Sequence, residues 1–255
     1  IEHLGGNPAV GRGAVIVAHR NVRERYLNGL YAFGDFPAEA LPGLTFTDSL
    51  TLHFNGEDVR LVAFPGAHDD SDVLVWFTGA RVAVVGALCM GEHFPSIDLD
   101  TGDIRRYPEV ARRLLAYLPE DATLVPAHAA DCTMAQGRRF LEMLEQTGAL
   151  VRRERARGKD LARLMREDVL AAYRSFESSY VSRHDWLTWW YEAYETPRPS
   201  KARPYAPVLQ ALRGAGAQAA VDEYSRLRQT RPGDYWFDDM GLMYMGRRLA
   251  RLRRD

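Results

Sequence analysis

The chain has 255 residues, a formal net charge of −1 and 46% hydrophobic residues. That length holds one large domain or a domain with an appendage. The balanced charge gives no overall attraction to nucleic acid or anionic membranes, and no run approaches the ~18 apolar residues of a membrane span.

Taken in chain order, residues 13–18 are a short apolar run that predicts a strand, and residues 21–31 predict a helix. Residues 48–54 and 57–64 flank Asn55 and Gly56, a dipeptide suited to a two-residue hairpin turn. The runs 73–77 and 82–85, joined at Thr78 and Gly79, read as buried strands. Residues 108–118 have apolar positions at helical spacing and open on Pro108, which predicts an amphipathic helix. A strand is expected over 122–125 and a helix over 135–147. The composition changes after about residue 150. Residues 151–172 are a charged helical stretch, with Arg152, Arg153, Arg155, Arg157 and Lys159 near its start. Residues 186–194 carry an aromatic stripe, Trp186, Trp189, Trp190, Tyr191 and Tyr194, which reads as core between helices because aromatic rings carry large apolar area. Its exposed remainder suits a homo-oligomer interface. Pro197, Pro199 and Pro204 mark a break. Helices are expected over 207–213 with 218–229, and over 237–253, whose basic end from Arg247 to Arg254 reads as a solvated helix terminus. The chain thus reads as an α+β domain over 1–150 and a helical extension over 151–255, without internal repeats.

The two cysteines, Cys89 and Cys132, make no disulfide framework. The chain reads as soluble, with no signal peptide in view. It opens on Ile1 rather than Met. A processed signal, a cleaved precursor and an incomplete sequence all fit that start, so the compartment stays open.

Three histidines lie at the ends of apolar runs, inside turn chemistry. His3 sits in Glu2-His3-Leu4-Gly5-Gly6-Asn7, His68 in Pro65-Gly66-Ala67-His68-Asp69-Asp70-Ser71-Asp72, and His128 in Val125-Pro126-Ala127-His128. At strand ends side chains leave the packed core and can converge on a shared site. Imidazole is the commonest zinc ligand, and three nitrogen or oxygen ligands with one open position make a catalytic zinc site. His53 is expected on the solvated face of a hairpin strand, and His19 and His184 have no ligand context.

These three segments resemble the metal-binding motifs of the metallo-β-lactamase superfamily. His3 matches the last histidine of the first motif and Glu2 its aspartate, and the motif's first two histidines would precede Ile1. Residues 17–25 look like the segment that follows in many relatives. His68 matches the second-motif histidine, Asp72 an acidic residue just after it, and His128 the last ligand histidine. The resemblance covers roughly residues 1–150. It implies an αββα sandwich, incomplete at the N-terminus, followed by a helical region. It also implies a zinc-dependent hydrolase acting through metal-bound hydroxide on a small-molecule substrate. His68 with the two upstream histidines would hold one ion, and His3, His128 and Glu2 a second, weaker one. Glu2 would also orient the attacking water or shuttle its proton. The family covers β-lactams, thioesters, lactones and sulfate and phosphate esters, so the fold does not give the substrate.

Two departures bear on the chemistry. Residues 82–88 resemble the strand that normally ends in Gly-Asp, whose aspartate bridges two metals; here that position is Ala87, which ligates nothing. Cys89, Glu92 and His93 follow in the same loop as substitute donors. Glu2 in place of aspartate adds a methylene where metal–ligand distances tolerate about ±0.2 Å. One or two zinc ions are expected, with the second weakened by Ala87. Two other readings stand beside the hydrolase. One is a degenerate, non-catalytic member that binds a ligand or partner through the same cleft. The other is a fragment or subunit completed by a polypeptide carrying the first-motif histidines.

Overall fold

A computed structural model describes residues 4–27, 37–98, 101–195, 205–232 and 235. They fall into two compact units, one within residues 1–45 and 198–255 and the other within 46–197. Glu2, His3 and the helix expected over 237–253 lie outside the described residues.

The first unit opens with the short helix α1 (Asn7–Val10), strand β1 (Val17–His19) and helix α2 (Arg20–Leu27). The strand expected over 13–18 is shorter and later. Residues 11–14 instead turn tightly, with the Gly11 N–H donating to the Asn7 carbonyl and the Gly13 N–H to the Val10 carbonyl. Strand β2 (Leu44–Phe46) pairs with β1 and leads into the second unit.

The second unit is built on a six-stranded mixed sheet in the order β3 (Ser49–Phe54), β4 (Glu57–Ala63), β5 (Val73–Phe77), β6 (Val82–Gly86), β7 (Thr123–Pro126), β8 (Cys132–Thr133). The β3–β4 hairpin turns at Asn55 (φ 53) and Gly56 (φ 80), the two positive φ values that a type I′ turn demands. β4, β5 and β6 continue antiparallel, whereas β6 and β7 are parallel. Parallel neighbours need a crossover, and helix α3 (Tyr107–Tyr117), with Pro108 in its first turn, lies within it. On one sheet face Leu74, Trp76, Ala83, Val85 and Leu124 are buried at the alternation that strands impose. They share a core with Val110 and Leu114 of α3 and with Phe140 and Leu144 of helix α4 (Met134–Ala156). A capping box starts α4: Thr133 Oγ1 accepts from the Gln136 N–H, and Gln136 Oε1 accepts from the Thr133 N–H.

α4 runs nine residues beyond the expected 135–147 and spans residue 150. The charged stretch 151–172 is not one helix. It breaks at Gly158 (φ 78), restarts as α5 (Leu161–Arg166) under an Asp160 N-cap, and passes through a 3₁₀ turn (Ala171–Phe176) into α6 (Arg183–Glu195). The aromatic stripe is core, as expected: Trp186, Leu187 and Trp190 are buried in the cluster that also holds Phe140 and Leu144. In the first unit, α7 (Tyr205–Thr230) is kinked at Gly216 and carries a small cluster of Val208, Ala220, Tyr224 and Leu227. The architecture is α+β, with a mixed sheet followed by helices. No described helix is long and apolar enough to cross a membrane.

Candidate functional site

Strand direction gathers the site. β4, β6 and β7 run one way and β5 and β8 the other. The loops that leave β4, β6 and β7 therefore emerge at the same end of the sheet. They carry, in turn, His68, the segment from Ala87 to His93, and His128.

The loop after β4 is tied down at both ends. Its first N–H, from Phe64, donates to the Asp72 carbonyl at 2.9 Å, and the Gly66 N–H donates to the Asp69 carbonyl at 2.7 Å. Asp72 Oδ2 accepts from the Asp69 N–H at 3.0 Å. Burial, and then the neighbouring charge of Asp69, pushes the Asp72 carboxyl up to about 7. The His68 carbonyl accepts from the Asp98 N–H at 2.9 Å. Gly102 lies so close to that carbonyl that a Cβ there would stand 2.0 Å from it, which excludes any other residue.

His68 itself is half-buried, and its Nδ1 lies 2.8 Å from the Ser96 carbonyl. A carbonyl only accepts, so this contact places the proton on Nδ1 and leaves the Nε2 lone pair available. Fixing the tautomer through a backbone carbonyl is how imidazole ligands are usually oriented toward a metal.

The loop after β6 supplies no carboxylate at its first position, Ala87. The Ala87 carbonyl instead accepts from the fully buried Tyr107 hydroxyl. Burial holds that phenol well above its usual range. The three substitute donors separate. Cys89 turns into the core beside Cys132, and that neighbour together with burial pushes its thiol up. Glu92 points out to Arg139, 2.7 Å away. His93 keeps a buried Nδ1 without a hydrogen-bond partner among the described residues.

After β7, the Ala127 N–H donates to the Gly86 carbonyl at 3.0 Å, which joins the β6 and β7 loops. His128 is half-buried, and its ring lies 5.2 Å from the ring of Tyr180 at 43°. Tyr180 follows the 3₁₀ turn and is 65% exposed, so the helical part of the unit contributes a side chain beside His128. The same segment contacts the β6 loop. The Phe94 N–H donates to the Phe176 carbonyl at 2.7 Å, and the Phe94 ring stacks on Trp186 at 5.4 Å. Sequence reasoning missed Tyr180 and the Ser96 carbonyl, because neither lies in a motif and both arrive through tertiary contacts. His53 is exposed and sits 2.7 Å from Asp58, at the hairpin end of the sheet. His19 is buried in the first unit, where its Nδ1 accepts from the Asn21 N–H.

A metal centre needs three or four converging donors. The His68 tautomer and the buried His93 nitrogen suit one, but no three His, Cys, Asp or Glu side chains among the described residues form a group able to hold an ion. At position 87 alanine offers no side-chain donor.

Neither a protein-family model nor a curated protein matches the sequence. Among solved structures, a metallo-β-lactamase from Pontibacter korlensis is similar at 22% identity and a TM-score of 0.45, over 56% of this chain and 63% of that one. The B3 metallo-β-lactamase BLEG-1 is similar at 17% identity and a TM-score of 0.48, over 56% of this chain and 71% of that one. The chain thus spans 63% of the length of the first of these structures.

Proposed function

We propose that the chain is a metal-dependent hydrolase, zinc being the expected ion, with its site at the sheet end where the β4, β6 and β7 loops meet. The observation that carries this reading is the Nδ1 contact of His68 with the Ser96 carbonyl, which prepares Nε2 as a ligand. His128 is the second imidazole donor, and His3 and Glu2 are the remaining donors that the motif resemblance offers. A bound divalent ion would lower the pKa of a water molecule and polarise a carbonyl or phosphoryl oxygen. The chain's own residues do the positioning. The Ser96 carbonyl orients His68, Asp72 fixes the loop behind it, and the Tyr107 hydroxyl holds the Ala87 carbonyl at the floor of the β6 loop. Tyr180 forms a wall beside His128 for a small-molecule substrate.

A second reading, a ligand-binding protein without hydrolytic activity, is favoured by Ala87 and by the lack of a three-donor group among the described residues. One set of measurements separates the two. The purified 255-residue chain is saturated with zinc, dialysed and analysed for metal, beside His68→Ala and His128→Ala variants. Ester, thioester and lactam probes are then assayed. The hydrolase reading expects about one ion per chain, lost in both variants while far-ultraviolet circular dichroism stays unchanged, together with turnover of one probe class. A metal-free parent, or variants that keep the parent's zinc, would overturn it. Zinc without turnover of any probe supports the second reading.

A further inference from the structure

The two cysteines lie 43 positions apart in sequence, and the fold interleaves them. Cys132 is on the edge strand β8, opposite Leu124 of β7, with its side chain in the core beneath the sheet. Cys89 lies in the loop after β6, in the same core. Two glycines report the closeness of approach. A Cβ built on Gly91 would stand 3.7 Å from the Cys132 sulfur, and a Cβ on Gly137, in the second turn of α4, would stand 3.8 Å from the Cys89 sulfur. The Cys89 loop thus lies against β8 and the start of α4, which brings the two thiols into one enclosed patch of core. Both are free, with Cys89 1% and Cys132 5% exposed.

The geometry points to Cys89 and Cys132 as an oxidisable dithiol, a modification site at which a hydroperoxide converts the pair into an intramolecular disulfide. In the first step the Cys132 thiolate attacks one peroxide oxygen. The O–O bond breaks, the S–O bond of a sulfenic acid forms, and the departing hydroxide takes the thiol proton as water. In the second step the Cys89 sulfur attacks the sulfenic sulfur. The S–O bond breaks, the S–S bond forms, and a second water carries off the Cys89 proton. Two thiols lose two electrons and one peroxide gains them. Cys132 attacks first because its neighbour Cys89 holds its thiol below the usual range, which makes it the better nucleophile. The Cys132 backbone also borders solvent, because Asp131 and Thr133 on either side are exposed, whereas Cys89 is enclosed. The bond would pin the β6 loop, which leads to Ser96 and so to His68, against the sheet edge.

The test uses the folded full chain. It is treated with hydrogen peroxide in modest excess, blocked with iodoacetamide and digested with trypsin without reductant. Cleavage after Arg81, Arg105, Arg113 and Arg138 puts Cys89 in the peptide 82–105 and Cys132 in the peptide 114–138. The expected product is these two peptides joined, with the intact chain lighter by about 2 Da, the mass of the two hydrogens lost as the thiols oxidise. Cys89→Ser should stop at a sulfenic acid on Cys132 that dimedone traps, and Cys132→Ser should form no cross-link. The parent's peptide map decides even where a variant folds poorly. Two thiols still alkylated after peroxide, oxidation to sulfinic acid without cross-linking, or dimers joined between chains would each overturn the proposal.

Discussion

Replacing Thr147 with valine tests how the helical part of the second unit is held to the sheet. Thr147 is fully buried on α4. Its hydroxyl donates to the Met143 carbonyl at 2.7 Å and accepts the Trp186 indole N–H of α6 at 3.0 Å. Valine keeps the shape and removes the acceptor. The Met143 carbonyl keeps its helical partner, so little is lost there. The indole N–H has no such alternative, since Trp186 is itself fully buried, and an unsatisfied buried donor costs ~1–3 kcal/mol. A methyl group in the apolar site returns up to ~0.8 kcal/mol. The net expectation is a loss of ~1–2 kcal/mol, which for a chain of this size lowers Tm by ~2–8 °C. Urea denaturation followed by tryptophan fluorescence and circular dichroism measures it. A double-mutant cycle with Trp186→Phe isolates the pair, because in that background Thr147→Val has no donor to strand. The reasoning fails if Thr147→Val matches the parent within about 0.5 kcal/mol, the scatter of neutral substitutions, or costs the same in the Trp186→Phe background. The pair also bears on the site: Trp186 stacks on Phe94, two residues before the carbonyl that orients His68.

Tyr180 is exposed, so Tyr180→Ala should leave the urea midpoint within about 0.5 kcal/mol of the parent while raising KM several-fold for whichever probe is hydrolysed; an unchanged KM removes Tyr180 from the wall of the site. Hydrogen bonds from Lys159 and then Arg153 hold the Glu154 carboxyl down at about 2, against an ordinary value of 4.5. A depressed folded-state value stabilises above the unfolded value and is lost as pH falls through the folded one, so stability should fall more steeply between pH 4.5 and 2 in the parent than in Glu154→Gln; parallel curves would rule out this contribution. Ala87→Asp should raise zinc stoichiometry above that of the parent, and an unchanged metal content would show that position 87 does not face the ion.

Much of the fold was legible because its signals are local. Asn55 and Gly56 fix a hairpin by their own φ preferences, and the unbroken apolar runs 73–77 and 82–85 announce buried strands. The errors occurred where tertiary packing overrode local preference. α4 was expected to stop near Gly148, yet it continues to Ala156. The reason is the neighbouring helix: a Cβ at Gly148 would stand 2.7 Å from the Trp190 ring, so this glycine serves close packing rather than termination. The break at Gly158 was overlooked in the stretch 151–172, although a glycine followed two residues later by an N-capping Asp160 is an end-and-restart signal. Strand β8, two residues long, has too little pattern to detect.

The same contrast explains how far the site could be read. His68 and His128 carry turn residues around them, and strand direction alone brings their loops to one end of the sheet. What decides whether such histidines can act as ligands is non-local: a carbonyl from Ser96 that selects a tautomer, a tyrosine from beyond α5 that stands beside the second ring. The substitute donors after Ala87 illustrate the point from the other side. As sequence, Cys89, Glu92 and His93 are equivalent candidates within five positions. Folded, the thiol is committed to Cys132, the carboxylate to Arg139, and one buried nitrogen of His93 remains. The loop therefore does not restore the negative charge that a bridging aspartate would have supplied. Two divalent ions a few ångströms apart repel strongly at low dielectric without such a bridge, so on the proposed reading the β6 loop, rather than the histidines, limits this site to a single ion.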